Sequence, residues 1–393
     1  MKKTYFYLFI YLLLFFNCTN ASRHSSVNEV DVKTILVDVD NDKEIFDLSP
    51  YLQDKLDIIP LETNDTCLIS NIIKLEYADD LICISDEISQ VIFLFDSSGK
   101  YLKSIGKKGA GPGEYSSLGD FVLIGDSIYV QDMFVDKIIV YSIKTEGFRE
   151  FHLENLSYSE LISFDNILYC LTNYGKTPLG YYNMLRLDLD SNTFTANLPF
   201  DKKIAENNTA WGLNRYSSKY KDSALAIFAK NDTIYEVTQD LVVPKYVIHF
   251  SKQNLPHDIK EKGGHQAILA AHKNNYITGV DRISQTKDYI FLSYSLGNNS
   301  KELFYNKHSN EYQIAEWIVV GSLGNLYGTN LSTTENGELI VVQNAYMLKN
   351  AWEHIYSKHD FSKEKDHALM KSIVENLDES DNPIVFKFKF KNI

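Results

Sequence analysis

From residue 72 onward the chain repeats one pattern, and the spacing of that pattern limits the folds open to it. A short apolar strand runs into a turn residue: Phe93-Leu94-Phe95 into Asp96, Ile139-Val140-Tyr141 into Ser142, Leu185-Arg186-Leu187 into Asp188. Ile234–Val237 into Thr238 and Leu303-Phe304-Tyr305 into Asn306 continue the series. The steps between these turn residues are 46, 46, 50 and 68 positions. Upstream of each lies a second apolar strand: Leu81–Ile84, Ile128–Val130, Ile167–Cys170, Leu225–Phe228 and Tyr289–Leu292. A sixth, Leu339–Val342, finds its partner only at Ile384–Phe390. Apolar runs this short, bounded by turn formers, are strands rather than helices. Units of about 40–50 residues with several strands each are the signature of propeller blades. Six units predict an all-β, six-bladed β-propeller.

The sixth unit is one strand short at the C-terminal end, while Leu56–Glu62 near the other end is a strand with no unit of its own. An incomplete blade would expose an unpaired edge. The two ends are therefore expected to close the ring together, with Leu56–Glu62 completing the last blade. Pro60 places that strand at an edge. Two helices are expected to interrupt the strands: His265–His272 in the long fourth-to-fifth connection, and, between the sixth unit's own strands, a helix carrying Leu369, Met370, Ile373, Val374 and Leu377 on one face.

Met1–Asn17 begins with Lys2 and Lys3 and continues in an apolar run from Tyr5 to Phe16. That run is shorter than the ~20 residues that span a bilayer and reads as a signal peptide. Leu14-Phe15-Phe16-Asn17-Cys18 resembles a lipobox, which makes Cys18 the acylated residue; ordinary cleavage near Ala21 is the alternative. Either route exports the chain. The domain reading is signal peptide 1–17, tether and N-terminal extension 18–44, and propeller 45–393. Thr19–Ser26 lacks an acidic run, which favours the periplasmic side over the cell surface.

Asp38–Asp42 has the look of a calcium loop, but Lys43 and Ser49 stand where the turn glycine and bidentate glutamate belong. It is read as a solvated loop. Cys67, Cys83 and Cys170, an odd count without regular spacing, make no disulfide framework, and Cys83 and Cys170, inside apolar strand patterns, are read as buried small side chains. The net charge of −13 and the lack of a basic stripe argue against nucleic acid.

The segment Gly99–Tyr141 carries G-K-x-x-x-x-I-G, then G-x-G-P-G-E-Y, I-Y-V-x-D and K-I-x-V-Y. It resembles NHL-type repeats. With Ile59–Thr63, Asn231–Tyr235 and Asp381–Val385, the whole of residues 56–393 resembles the six-bladed β-propeller lipoproteins of Bacteroidetes-type bacteria. The resemblance implies fold and export, and it supplies no catalytic residues.

Gly109-Ala-Gly-Pro-Gly113 is followed by Glu114-Tyr115 and a strand, not by a helix, so it reads as a blade-to-blade turn rather than a phosphate cradle. Histidines and cysteines show no metal spacing, and no nucleophile elbow is present. No cofactor, metal or catalytic residue is assigned. Propeller geometry puts Asp86, Asp132, Asn173, Tyr174, Arg215, Tyr216, Asp281, Arg282, Asn330 and Asn344 on one face, round the channel mouth. Asp86 and Asp132 are equally suited to bonding turn backbone. Arg215 and Arg282, with Tyr174, Tyr216, Trp211, Asp132 and Asn344, form the expected ligand-binding set, the arginines serving as anion forks. The functional expectation is a monomeric, lipid-anchored, non-catalytic scaffold for an envelope protein, peptide or glycan. The alternative is a hydrolase or lyase at the channel mouth.

Overall fold

Strands that read as unbroken apolar runs have both faces buried, and the structure shows why. In blade 1, Ile82 and Ile84 pack toward blade 6, while Cys83 between them packs toward blade 2. Phe93 and Phe95 face the first layer, and Ile92 and Leu94 the second. Side chains alternate across a strand, so a sheet sandwiched between two others needs apolar residues at both parities. The same alternation builds six apolar layers among the described residues, one between each pair of neighbouring blades.

The computed structural model describes residues 31–78, 80–153, 156, 159–207, 215–261, 264–321, 332–356 and 367–392. Val32–Ile393 makes one compact unit. Its six sheets are the expected blades of a six-bladed β-propeller. Blade 1 consists of Ile72–Ala78, Leu81–Asp86, Ile92–Asp96 and Tyr101–Ile105. Blade 2 consists of Leu118–Ile124, Ser127–Asp132, Lys137–Ser142 and Phe148–His152. Blades 3, 4 and 5 start at the innermost strands Glu160–Phe164, Ser217–Tyr220 and Ile277–Gln285. Blade 6 consists of Ser332–Thr333, Leu339–Gln343, Ile384–Phe390 and Leu52–Pro60. The innermost strands neighbour one another in a closed cycle from blade 1 round to blade 6.

Ring closure is the expected one. Leu52–Pro60 pairs antiparallel with Ile384–Phe390, with Pro60 opposite Ile384 at the open edge of the sheet. The seam is fastened by Asn382. Its Oδ1 accepts from Ile69 N at 2.8 Å, and its Nδ2 donates to Glu62 O at 2.7 Å and Cys67 O at 2.5 Å. Gly99 of blade 1 lies against the same seam. Its φ is +86°, and a Cβ there would stand 2.2 Å from Pro60 O, so only glycine fits.

Two features differ from the sequence reading. Residues 33–44 are not all extension: Lys33–Val37 adds in parallel to the outer strand Val242–Phe250 of blade 4. Asp42–Asp47 adds in parallel to Tyr312–Val319 of blade 5. The cause is the alternation of Ile35, Val37 and Val39, which are buried in the layer between blades 4 and 5. The second difference is Leu369, which is exposed although its helix, His367–Asn376, does bury Met370 and Val374 between blades 5 and 6. Cys67, Cys83 and Cys170 are buried free thiols, as the strand contexts of Cys83 and Cys170 suggested.

Asn382→Ala removes this partner from Ile69 N, Glu62 O and Cys67 O, all on the N-terminal side of the seam, at ~1–3 kcal/mol for each group left buried and unpaired. A total loss of about 2–4 kcal/mol is expected in urea denaturation. Ser380→Ala, in the exposed turn beside it, should change stability by less than about 0.5 kcal/mol.

Candidate functional site

The innermost strand of each blade has no sheet neighbour on its channel side, so its N–H groups need acceptors from elsewhere. For blades 2 to 5 the preceding blade supplies them. Glu76 of blade 1 accepts from Leu123 N of blade 2 at 3.1 Å. Asp120 of blade 2 accepts from Leu161 N of blade 3 at 2.7 Å. Glu160 of blade 3 accepts from Tyr216 N at 2.6 Å and Ser217 N at 3.1 Å, and also from the Ser217 hydroxyl. Ser218 Oγ of blade 4 accepts from Gln285 N of blade 5 at 2.9 Å.

One cation sits inside this set. Lys74 Nζ donates to Asp120 Oδ1 at 2.9 Å, Glu76 Oε1 at 3.1 Å and Phe121 O at 2.7 Å, which uses all three of its protons. Burial alone would lower the Lys74 ammonium, but the charges of Asp120, Glu76 and Glu160 outweigh it and hold it above the ordinary lysine range. Burial pushes the Glu76 and Glu160 carboxyls up; Lys74 opposes this at both, and Arg215 helps at Glu160. Farther along the channel Lys219 pairs with Glu335 at 2.6 Å. The Ser218 and Thr333 hydroxyls meet at 3.2 Å.

These groups line a channel cavity of about 100 Å³, bounded by Lys74, Glu76, Glu160, Arg215, Lys219 and Glu335 among others. That is well below the ~300–1,000 Å³ of clefts that engulf small organic ligands. It suits ordered water better. Ser217 beside Glu160 has the composition of a nucleophile with a base. However, the same carboxylate already accepts two backbone N–H bonds, so it serves the strand edge first.

The residues expected at the channel mouth divide. Asp86 accepts from Ser70 N, Asn71 N and Ser89 N at 2.7–2.8 Å and from two serine hydroxyls. Burial works against its charge, yet these bonds hold its carboxyl below the usual carboxylate range. Asp132 repeats the arrangement in blade 2, accepting from Ser116 N at 2.8 Å and Phe134 N at 3.2 Å. Both are braces for loop backbone. Tyr216 is 8% exposed, and its OH accepts from Asn173 Nδ2 at 3.3 Å. Tyr174 is half-buried against Phe200, and burial pushes its phenol up to about 12. Arg215 and Arg282 are brought together by a backbone bridge between blades 4 and 5. The Arg282 guanidinium is held by Glu302 Oε1 at 2.8 Å, whereas Arg215 lines the cavity. Asp281 is bonded to Ser295 Oγ at 2.6 Å, and burial raises its carboxyl. Asn344 is exposed just before the helix Ala345–Tyr356. Trp211, Asn330 and Cys18 lie outside the described residues.

The sequence reading did not single out Lys74, Glu76, Asp120 or Glu160. The signal was present: charges at alternate positions of Ile72-Ile-Lys-Leu-Glu-Tyr77 fall on one face of the innermost strand, away from buried Leu75.

Lys74→Met leaves Glu76 and Asp120 as buried charges without their cation, and a loss of about 3–5 kcal/mol is expected in chemical denaturation. Adding Glu76→Gln and Asp120→Asn keeps acceptors for Leu123 N and Leu161 N and should restore most of it. A triple variant no more stable than Lys74→Met would contradict the ion-pair account.

No curated protein matches the sequence. Among solved structures, a protein of Bacteroides fragilis NCTC 9343 considered to be exported superposes with a TM-score of 0.74 at 19% identity, covering 92% of this chain and 100% of its own. A member of the DUF4221 family from Bacteroides vulgatus ATCC 8482 gives 0.50 at 15% identity, covering 86% of this chain and 97% of its own. At these identities the likeness is one of fold. A family model described as a domain of unknown function, DUF4934, matches residues 30–389. The chain belongs to the DUF4934 family.

Proposed function

We propose that this protein is an exported, lipid-anchored propeller that acts in the cell envelope as a non-catalytic scaffold for a protein, peptide or glycan partner. The observation that carries this reading is the use of the channel's charged groups. Glu76, Asp120 and Glu160 accept from backbone N–H groups of the next blade, and Lys74 spends its donors on them. A catalytic constellation needs an acid, base or nucleophile left over for substrate. The small cavity supports the same conclusion.

Export is supported by the charged, apolar leader and by the likeness to a Bacteroides protein considered to be exported. No helix of the described residues is long and apolar enough to cross a membrane. Acylation of Cys18 would supply the membrane attachment, with several acyl chains giving firm anchoring where one would not. The short tether without an acidic run favours the periplasmic side. Arg215 beside Arg282 at the blade 4–5 boundary is the point where an anionic group on a partner would first be met.

Two measurements check this. In cell fractionation the wild-type protein is expected in the membrane fraction and Cys18→Ser in the soluble exported fraction; a soluble wild type removes the anchor. In a thermal-shift screen of defined glycans and peptides, a stabilising compound should lose its effect on the Arg215→Ala/Arg282→Ala variant. Equal stabilisation of both proteins removes the arginine assignment, and turnover abolished by Glu160→Gln would replace the scaffold with an enzyme.

A further inference from the structure

The large apolar side chains left exposed are not spread evenly over the propeller. The two most exposed among the described residues are Phe134 at 77% and Ile88 at 75%. Both lie on the loops that join the second strand to the third, Ile88 in blade 1 and Phe134 in blade 2. Met133 and Val135 flank Phe134, and Leu179 stands at the tip of the corresponding hairpin of blade 3. Three consecutive blades thus present apolar tips on the same face. The turns between first and second strands, on the opposite face, expose no large apolar side chain among the described residues. Asp80, Asp126, Asp165, Asp222 and Glu335 are exposed there alongside Lys221 and Lys287; Asp126 pairs with Lys144, Glu335 with Lys219 and Asp288 with His308.

These tips are held by built loops. Asp86 takes Ser89 N at 2.7 Å beneath Ile88, Asp132 takes Phe134 N at 3.2 Å, and Thr177 Oγ1 takes Leu179 N at 3.2 Å. Contiguous exposed apolar residues on a rigid frame mark a surface that is covered in use. Local charge narrows what covers it. Around the tips Lys107, Lys108 and Lys176 balance Glu87, Glu114 and Asp136, with Lys107 paired to Glu114, so the patch is near neutral in a chain whose net charge is −13. The molecule's net acidity therefore lies elsewhere.

We infer that the loop tips of blades 1–3 rest on a lipid bilayer, with Phe134, Ile88 and Leu179 at the headgroup–acyl boundary. Apolar tips in a locally near-neutral patch suit that boundary, since little net negative charge there opposes contact with headgroups. The inference rests on the anchored reading for its proximity argument. Thirteen residues separate Cys18 from Val32, which is at most about 50 Å of extended chain. An acylated Cys18 would keep the propeller within reach of the membrane at all times. A modest affinity of the tips then suffices to orient it, because the tether raises the local concentration.

The test uses the exported chain carrying Cys18→Ser, so that no acyl chain contributes. It is floated with vesicles of phosphatidylethanolamine and phosphatidylglycerol, and with phosphatidylcholine vesicles. Measurable flotation is expected with both, and Ile88→Glu/Phe134→Glu should reduce the partition coefficient at least tenfold with unchanged circular dichroism and Tm. Leu241→Glu, an equally drastic change at an exposed apolar residue of an outer turn, should leave flotation as it was. Three results overturn the inference: no flotation at any lipid concentration, an equal loss with Leu241→Glu, or a tip variant that abolishes self-association in light scattering without altering flotation. Fractionation of Cys18→Ser in cells judges the anchor separately, so flotation can succeed where the anchor fails, and the reverse.

Discussion

A radial array of sheets creates a problem at its centre. Each blade ends there in an edge strand whose outward N–H groups face a channel too narrow for another strand. This protein meets the need with side chains from the blade before: Glu76, Asp120, Glu160 and Ser218 reach across to Leu123, Leu161, Tyr216 and Gln285. Carboxylates are strong acceptors for this purpose, but three of them close together in a buried channel repel one another. Lys74 offsets that repulsion, and Arg215 contributes at Glu160. The charged residues of the channel thus follow from backbone geometry before any question of function arises.

The second constraint is closure. Leu52–Pro60 and Ile384–Phe390 come from opposite ends of the chain and must meet in one sheet. The N-terminal segment prepares this by lying along the outer edges of blade 4, then blade 5, before entering blade 6. Ion pairs hold it on the way: Asp40 to Lys252, and Asp42 to Lys301. The acidic loop that looks like a failed calcium site is therefore a strap pinned by lysines. Asn382 then locks the seam from inside, with no side chain at Gly99 to keep blade 1 away.

How legible this was depends on whether a feature is local. Asp96, Ser142, Asp188, Thr238 and Asn306, chosen from sequence as strand ends, are the last residues of the third strands of blades 1–5. They could be read because an apolar run broken by a turn former is written in adjacent residues. Lys33–Val37 could not be read in that way. Its partner is about 210 positions downstream, and only three buried residues at alternate positions signal it. The channel network was harder still. Lys74 and Asp120 are 46 residues apart, and each by itself is an ordinary charge at a strand position. Only the cyclic order of innermost strands brings them within bonding distance. Leu369 failed for the opposite reason: helical spacing placed it on the buried stripe, but packing between blades 5 and 6 took only part of that stripe.

Asp86 and Asp132 connect the interior to the surface. Each sits at the end of a second strand, buried, with its carboxylate spread over the N–H groups of two loops. One of these loops leads into the innermost strand of the same blade; the other carries Ile88 or Phe134. A carboxylate in this position fixes both loops relative to the rigid sheet, so an apolar residue at the tip is ordered without being buried. Exposed Phe and Ile on mobile loops would collapse onto the nearest apolar surface and lose their reach. On braced loops they cannot, and the side chain's contact with a second surface costs little additional conformational entropy. The aspartates that looked like candidate ligand residues therefore act one step back from the surface, as the supports that let neighbouring apolar residues stand in solvent.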